Sequence, residues 1–131
     1  MIRVSNLEKS LIFFQTLGLR EIRRRNSEKG KFTNVHLAAK DDIASAEAVR
    51  APTLELTYNW DPEEYTGGRN FGHLAYRVDN IYDYCQRLID NGVIINRPPR
   101  DGNMAFIKSP DGISIELLQN GDPLELSLIH I

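Results

Sequence analysis

Two glutamates interrupt segments that otherwise have the alternating apolar character of β-strands. Glu55 lies within residues 53–56 and Glu116 within residues 114–118. An ionised carboxylate inside a sheet costs several kcal/mol unless a partner compensates it, although alternation can also place such a residue on the solvent face. The matched placement of the two glutamates favours a chemical role for both.

Histidine is the other residue type here that can bind a metal or move a proton. His73 begins a predicted strand, and an imidazole near a carboxylate is a common ligand combination for a divalent metal. We assign His36 a structural role, because the sequence shows it neither a matching carboxylate nor a repeat counterpart. The basic run Arg23, Arg24 and Arg25 is predicted to be a solvated strand face.

An internal repeat relates these residues to one another. Residues 2–7 (IRVSNL) return as residues 76–81 (YRVDNI), an offset of 74, and residues 54–56 return as residues 115–117, an offset of 61. Each half therefore reads β-α-β-β-β, which predicts an α+β fold.

Helix and turn signals support this division. Ser5 and Asp79 are predicted N-caps, and Gly18 and Gly92 are predicted helix stops. The remaining expected elements are a polar loop at 41–52, a connection between halves at 61–70, and strands at 20–25, 33–38, 53–58, 93–96, 104–107 and 113–118.

The repeat predicts where a partner for His73 should lie. Its counterpart in the first half falls ahead of Met1, and when the C-terminal residues are written ahead of Met1, His130 falls at that place. Two histidines and two glutamates on equivalent strands would form a pseudo-symmetric site for zinc, nickel, cobalt or iron.

Composition narrows the class of protein. The chain has 131 residues, 16 basic and 18 acidic side chains, and one cysteine. A net charge of −2 gives no electrostatic footprint for nucleic acid or an anionic membrane, and no apolar run approaches the roughly 20 residues needed to span a bilayer. We expect a cytoplasmic protein with neither of these partners.

Three segments together resemble glyoxalase I, or lactoylglutathione lyase, of the vicinal oxygen chelate superfamily. They are LELTYNW at residues 54–60, FGHL at 71–74 and SPDGISIEL at 109–117. The resemblance implies paired βαβββ modules in a single domain over residues 1–131, with module 1 at about 1–60 plus 124–131 and module 2 at about 71–120.

The resemblance also implies a set of metal ligands. Glu55, His73 and Glu116 match the second, third and fourth ligands of the family, and the first is a histidine on the first strand. We interpret the order of segments as a circular permutation, in which residues 124–131 supply part of the first strand and His130 supplies the missing ligand. The alternatives are a tail that docks onto a partner subunit, or an unrelated tail and an absent first ligand.

The activity implied by the resemblance is isomerisation of the methylglyoxal–glutathione hemithioacetal to S-lactoylglutathione. Glu116 would be the base and Glu55 its symmetric counterpart, with one divalent metal per site, nickel or cobalt favoured and zinc allowed. Glutathione would be the co-substrate, and the matching positions for holding it are Arg3, Asn59, Arg69 and, less closely, Arg97. Asn103 departs from the family, because some members have a lysine there. The family further implies a homodimer with sites at the subunit interface.

Two other functions remain open from the sequence. One is another enzyme of the superfamily, an epimerase or a thiol transferase, although such enzymes tend to lack a glutamate at the place of Glu55. The other is a metal-free module that binds a small molecule, which would apply if His130 does not join the other three ligands.

Overall fold

The computed structural model describes residues 1–49 and 52–125. The chain divides into two compact units, Met1–Thr66 and Gly67–Ile131, and each is described by itself below. Residues 126–131, including His130, lie outside the described residues, as does most of the segment expected to complete the first strand.

The first unit contains one four-stranded sheet in the order β1-β4-β3-β2. Strand β1 is parallel to β4, and the other neighbours are antiparallel. Its elements are β1 (Ile2–Arg3), α1 (Leu7–Thr16), β2 (Leu19–Ser27), β3 (Phe32–Ala39), a 3-10 turn (Lys40–Asp42), α2 (Ile43–Val49) and β4 (Leu54–Asn59).

The second unit repeats this plan without the extra helix. Its sheet has the order β5-β8-β7-β6, again with one parallel pair, β5 with β8. Its elements are β5 (Leu74–Val78), α3 (Ile81–Asp90), β6 (Ile95–Arg97), β7 (Met104–Lys108) and β8 (Ser114–Gln119). The predicted α+β fold with two βαβββ modules is confirmed.

The two sheets share the same strand register. Ile2 lies opposite Leu56 in the first unit, and Tyr76 lies opposite Leu117 in the second. These pairs are related by the offsets of 74 and 61 residues found in the sequence. The repeat therefore extends from sequence similarity to the pairing of individual residues.

Strands β3 and β8 carry buried and half-buried side chains in alternation. In β3, Val35 and Leu37 are buried, whereas Asn34 and His36, which alternate with them, are half-buried, as expected because successive strand side chains point to opposite faces. In the second unit, Ile107 and Ile115 are fully buried. The half-buried faces carry Glu55 and Glu116.

The helix N-caps differ from prediction by one residue. The caps are Asn6 and Asn80, whose side-chain oxygens accept hydrogen bonds from the backbone N–H groups of Lys9 (3.0 Å) and Asp83 (3.1 Å). Predicting Ser5 and Asp79 was therefore wrong. Asparagine caps as well as serine or aspartate, so residue type alone does not distinguish adjacent candidates.

The prediction of a polar loop at 41–52 is also wrong in its first part, where the 3-10 turn and α2 lie. Ala44 and Ala46 have high helix propensity, and burial of Ala46 anchors the helix. Among the described residues, no helix is long and apolar enough to cross a membrane.

Candidate active site

In the second unit, His73 and Glu116 form a close pair. His73 Nε2 lies 3.1 Å from Glu116 Oε1, and the carboxylate side chain is the more buried, at 16% exposed against 43% for the imidazole. The His73 ring also packs edge-on against Phe106, with centroids 5.4 Å apart. The pair thus has a fixed carboxylate and an imidazole supported on one side by an aromatic ring.

The strand register explains why these side chains meet. Glu116 of β8 lies opposite Ala75 of β5 and opposite Phe106 of β7. His73 is two residues before Ala75, just ahead of β5, so that its side chain reaches back to the carboxylate. This geometry brings together two of the four predicted ligands.

In the first unit, Glu55 also has a histidine beside it, but that histidine is His36. Its Nε2 lies 3.5 Å from Glu55 Oε2, because the two residues face each other across β3 and β4. The expectation that His36 lacks a carboxylate partner is wrong. The His36–Glu55 pair joins two adjacent antiparallel strands, whereas His73 lies ahead of a strand that is parallel to the strand of Glu116.

The other ring nitrogen of His36 has polar neighbours as well. Nδ1 lies 3.2 Å from Thr53 Oγ1 and 3.4 Å from a guanidinium nitrogen of Arg23. Burial, followed by the charge of Arg23, lowers the pKa of His36 below its usual value, and Glu55 opposes this shift. The shift favours the neutral imidazole, which can accept a hydrogen bond or bind a cation.

A cavity of about 250 Å³ adjoins this second pair. We call it the arginine pocket, and its lining residues are Arg23, Arg24, Arg25, Asn34, His36 and Glu55. All three arginines are exposed, as predicted, but they surround a concave site rather than an open strand face.

The residues predicted to hold substrate are spread over both units. In the first, Arg3 lies opposite Thr57, and Asn59 is two residues beyond Thr57 at the end of β4, where its Oδ1 accepts a hydrogen bond from Tyr65 (3.4 Å). In the second, Arg69 precedes β5 and is exposed, whereas Arg97 ends β6 opposite Phe106.

Alternation relates these positions to the glutamates. Residues 55, 57 and 59 share one face of β4, so Arg3 and Asn59 lie on the Glu55 side of the first sheet. Arg97 and Glu116 are both opposite Phe106, which places them on one face of the second sheet. Arg69 lies outside the strands, so strand alternation does not assign it to a face of the second sheet.

The donors in each unit suit a divalent metal of intermediate softness, since imidazole and carboxylate are ligands for zinc, nickel, cobalt and iron. Among residues 1–49 and 52–125, each unit has one such pair, and no histidine, cysteine, aspartate or glutamate side chain completes a group of three. His130, the predicted first ligand, lies outside the described residues.

The sequence profile of the Glyoxalase/Bleomycin resistance protein/Dioxygenase superfamily matches residues 1–117. The chain belongs to this superfamily.

The names of individual relatives are narrower than that of the superfamily. The chain is 40% identical over 125 residues to a lactoylglutathione lyase of Neisseria meningitidis serogroup A, covering 91% of this chain and 86% of the relative. It is 37% identical over 126 residues to a probable lactoylglutathione lyase of Vibrio cholerae, covering 92% and 87%. Among solved structures, the trypanothione-dependent glyoxalase I of Leishmania major aligns with a TM-score of 0.80 at 32% identity, covering 91% of this chain and 82% of that one.

His36 and the arginine pocket are the features that sequence reasoning missed. The repeat gave no spacing that links His36 to a glutamate, since 19 residues separate His36 from Glu55 but 10 separate Phe106 from Glu116.

Proposed function

We propose that the chain is a lactoylglutathione lyase that isomerises the methylglyoxal–glutathione hemithioacetal to S-lactoylglutathione, thereby detoxifying methylglyoxal. The observation that carries the proposal is the His73–Glu116 pair at 3.1 Å in a chain whose relatives include lactoylglutathione lyases. The ELTYNW-like segment around Glu55 supports the same reaction rather than a thiol transfer or an epimerisation.

The metal ligands in this proposal are Glu55, His73, Glu116 and His130. When bound, a divalent metal would supply Lewis acidity toward the oxygen atoms of the substrate. Nickel or cobalt is favoured by the likeness to compact bacterial relatives, and zinc is allowed by the ligand types.

Glu116 is the proposed base of the reaction. Its carboxylate would take the proton from one carbon of the substrate and return it to the neighbouring carbon, and its limited exposure would help to keep water away from that proton. Glu55 is the symmetric counterpart in the first unit.

Substrate binding is assigned to Arg3, Asn59, Arg69 and Arg97. Glutathione has two carboxylates, and guanidinium groups bind carboxylates through paired hydrogen bonds. The exposure of Arg3, Arg69 and Arg97 leaves these side chains accessible to such a ligand. We further propose a cytoplasmic homodimer with its sites at the subunit interface, and no nucleic-acid or membrane partner.

The proposal is tested by stripping the purified protein of metal, reloading it with nickel, cobalt or zinc, and following thioester formation by its ultraviolet absorbance. We expect activity with at least one metal and its loss in Glu116→Gln, with the circular dichroism spectrum unchanged. If no metal restores thioester formation to the wild-type protein, the proposed activity is wrong.

The role of His130 needs its own measurement. His130→Ala should reduce both the metal affinity, measured by calorimetry, and the rate of isomerisation, whereas Ser127→Ala in the same segment should change neither. Unchanged metal affinity in His130→Ala would show that His130 is not a metal ligand.

A further inference from the structure

We infer that the arginine pocket binds a carboxylate on the aldehyde-derived part of the substrate, so that the enzyme takes acidic 2-oxoaldehydes as well as methylglyoxal. The inference rests on the proposed isomerase activity and names a substrate class for it. Its support comes from the charge of the pocket, from its differences from the second unit, and from the position of Glu55.

The charges of the pocket are not balanced. Arg24 is paired with Glu21, with a nitrogen–oxygen distance of 2.7 Å, but neither Arg23 nor Arg25 forms an ion pair with any described residue. Glu55 is the one acidic residue lining the cavity. Two guanidinium groups against one carboxylate leave the pocket with a positive charge suited to an anion.

The partners of the two arginines leave most of their hydrogen-bonding capacity unused. Arg23 has one contact of 3.4 Å to His36, and Arg25 lies over the ring of Phe32 at 5.6 Å. A guanidinium has five N–H donors in a planar fork that matches a carboxylate. Both side chains can therefore donate hydrogen bonds to an oxyanion without breaking a strong interaction.

The equivalent surface of the second unit is less polar at two positions, although it keeps one arginine, since Arg97 opposite Phe106 corresponds to Arg23 opposite His36. In the register shared by the two sheets, Asn34 corresponds to Met104 and His36 corresponds to Phe106. The backbone framework is the same, so the difference in polarity belongs to the side chains alone. The first unit therefore has polar side chains at two positions where the second has apolar ones, and it has a second arginine, Arg25, beside Arg23.

The position of Glu55 indicates which part of the substrate reaches the pocket. Glu55 both lines the cavity and is a proposed metal ligand, so a group bound there lies within a side chain's length of the reacting oxygens. Those oxygens belong to carbons that come from the aldehyde. The remote carboxylates of glutathione are farther along the thiol and have their own proposed partners.

The size of the cavity fits this assignment. About 250 Å³ is below the range of roughly 300–1,000 Å³ that is usual for the pockets of larger ligands. It suits a compact group such as a carboxylate with its attached carbons.

The experiment compares three aldehydes with glutathione in excess, so that little free aldehyde remains to modify arginine. The aldehydes are phenylglyoxal, 4-carboxyphenylglyoxal and its neutral isostere 4-carbamoylphenylglyoxal. For each variant, the ratio of kcat/KM for the carboxylate to kcat/KM for the carboxamide is measured. A change in metal loading cancels in this ratio, because both substrates meet the same enzyme.

We expect the wild-type ratio to exceed one. Arg23→Gln and Arg25→Gln should each lower it by roughly tenfold, which is the effect of losing one charge-assisted hydrogen bond. His36→Phe, which copies the second unit, should raise the relative rate with phenylglyoxal. Arg20→Gln is the matched control, since Arg20 is an exposed residue of the same strand outside the pocket, and should leave the ratio unchanged.

A second arm varies the thiol. With methylglyoxal as the aldehyde, glutathione is compared with its glycyl ethyl ester, and Arg23→Gln should affect both equally. If that variant instead removes a difference between the two thiols, the pocket holds a thiol carboxylate and the aldehyde assignment is wrong.

The remaining outcomes are also distinct. A wild-type ratio of one, or a ratio insensitive to both arginine variants, overturns the inference while leaving the proposed isomerase intact. Absence of thioester from methylglyoxal and glutathione in every metal form overturns the proposed function itself.

Discussion

His36 and Phe106 occupy equivalent positions in the two units, each directly across the sheet from a glutamate. The ring of His36 contacts Glu55 itself, whereas the ring of Phe106 contacts His73, which in turn contacts Glu116. The same backbone position thus serves as a polar partner in one unit and as an aromatic support in the other.

Because His73 is a proposed metal ligand, the support that Phe106 gives it should be measurable as metal affinity. Phe106→Ala removes the edge-on contact to His73, and such aromatic contacts are worth about 0.5–1.5 kcal/mol. We expect nickel to bind roughly two- to tenfold more weakly by calorimetry. Phe106→Tyr keeps the ring and should bind nickel as the wild type does, and equal affinities in all three proteins would refute the supporting role.

The N-caps predict a second set of effects. Asn6→Ala and Asn80→Ala each leave a backbone N–H without its side-chain acceptor, which should lower the free energy of unfolding by about 1 kcal/mol. Asn6→Asp and Asn80→Asp retain the acceptor and serve as controls in urea denaturation. Alanine variants as stable as the aspartate variants would show that these caps contribute nothing.

Alanine substitutions at Gly102 and Gly112 can separate the cost of backbone strain from the cost of a steric clash. Both have positive φ angles, 68° and 81°, so alanine at either position should cost about 1 kcal/mol. A Cβ on Gly102 would also collide with the backbone of Leu124, whereas one on Gly112 meets nothing within 4 Å.

Gly102→Ala should therefore be the more destabilising of the two in urea denaturation. It should also break the hydrogen bond from Leu124 N–H to the Gly102 carbonyl (2.9 Å), seen as faster amide exchange at Leu124. Equal destabilisation by the two substitutions would contradict the close approach of these segments.

The buried thiol of Cys85 predicts a loss of stability at high pH. Burial raises the pKa of Cys85 to about 11, from an ordinary value near 9. Between these values the unfolded chain releases its thiol proton and the folded chain retains it, so a rise in pH favours unfolding. The urea midpoint should fall more steeply over this range in the wild type than in Cys85→Ala, and parallel curves would contradict the shift.

The general plan of the fold was predictable from the sequence because the repeat preserves both helix boundaries and strand order. Its offsets of 74 and 61 residues recur in the pairing of Ile2 with Leu56 and of Tyr76 with Leu117. Helix α2 was missed because its sequence lies among charged residues and has no counterpart in the second unit.

The candidate site was predictable only in part. His73 and Glu116 were found because both lie in recognisable segments, and the structure brings them together. His36 was missed because its meeting with Glu55 depends on which residues of two antiparallel strands face each other, and a one-residue change of register would have separated them. The polarity of the arginine pocket depends on the same register.

The burial of Cys85 has a consequence for a protein that handles reactive aldehydes. The chain has one cysteine, and its side chain is fully enclosed. With a pKa of about 11, on the order of one thiol in ten thousand is ionised at pH 7. Only the thiolate is strongly nucleophilic, so this thiol is both inaccessible and unreactive at pH 7. Cysteine is the side chain that electrophiles alkylate most easily. The protein is therefore protected from inactivation at Cys85 by the aldehydes that it is proposed to remove.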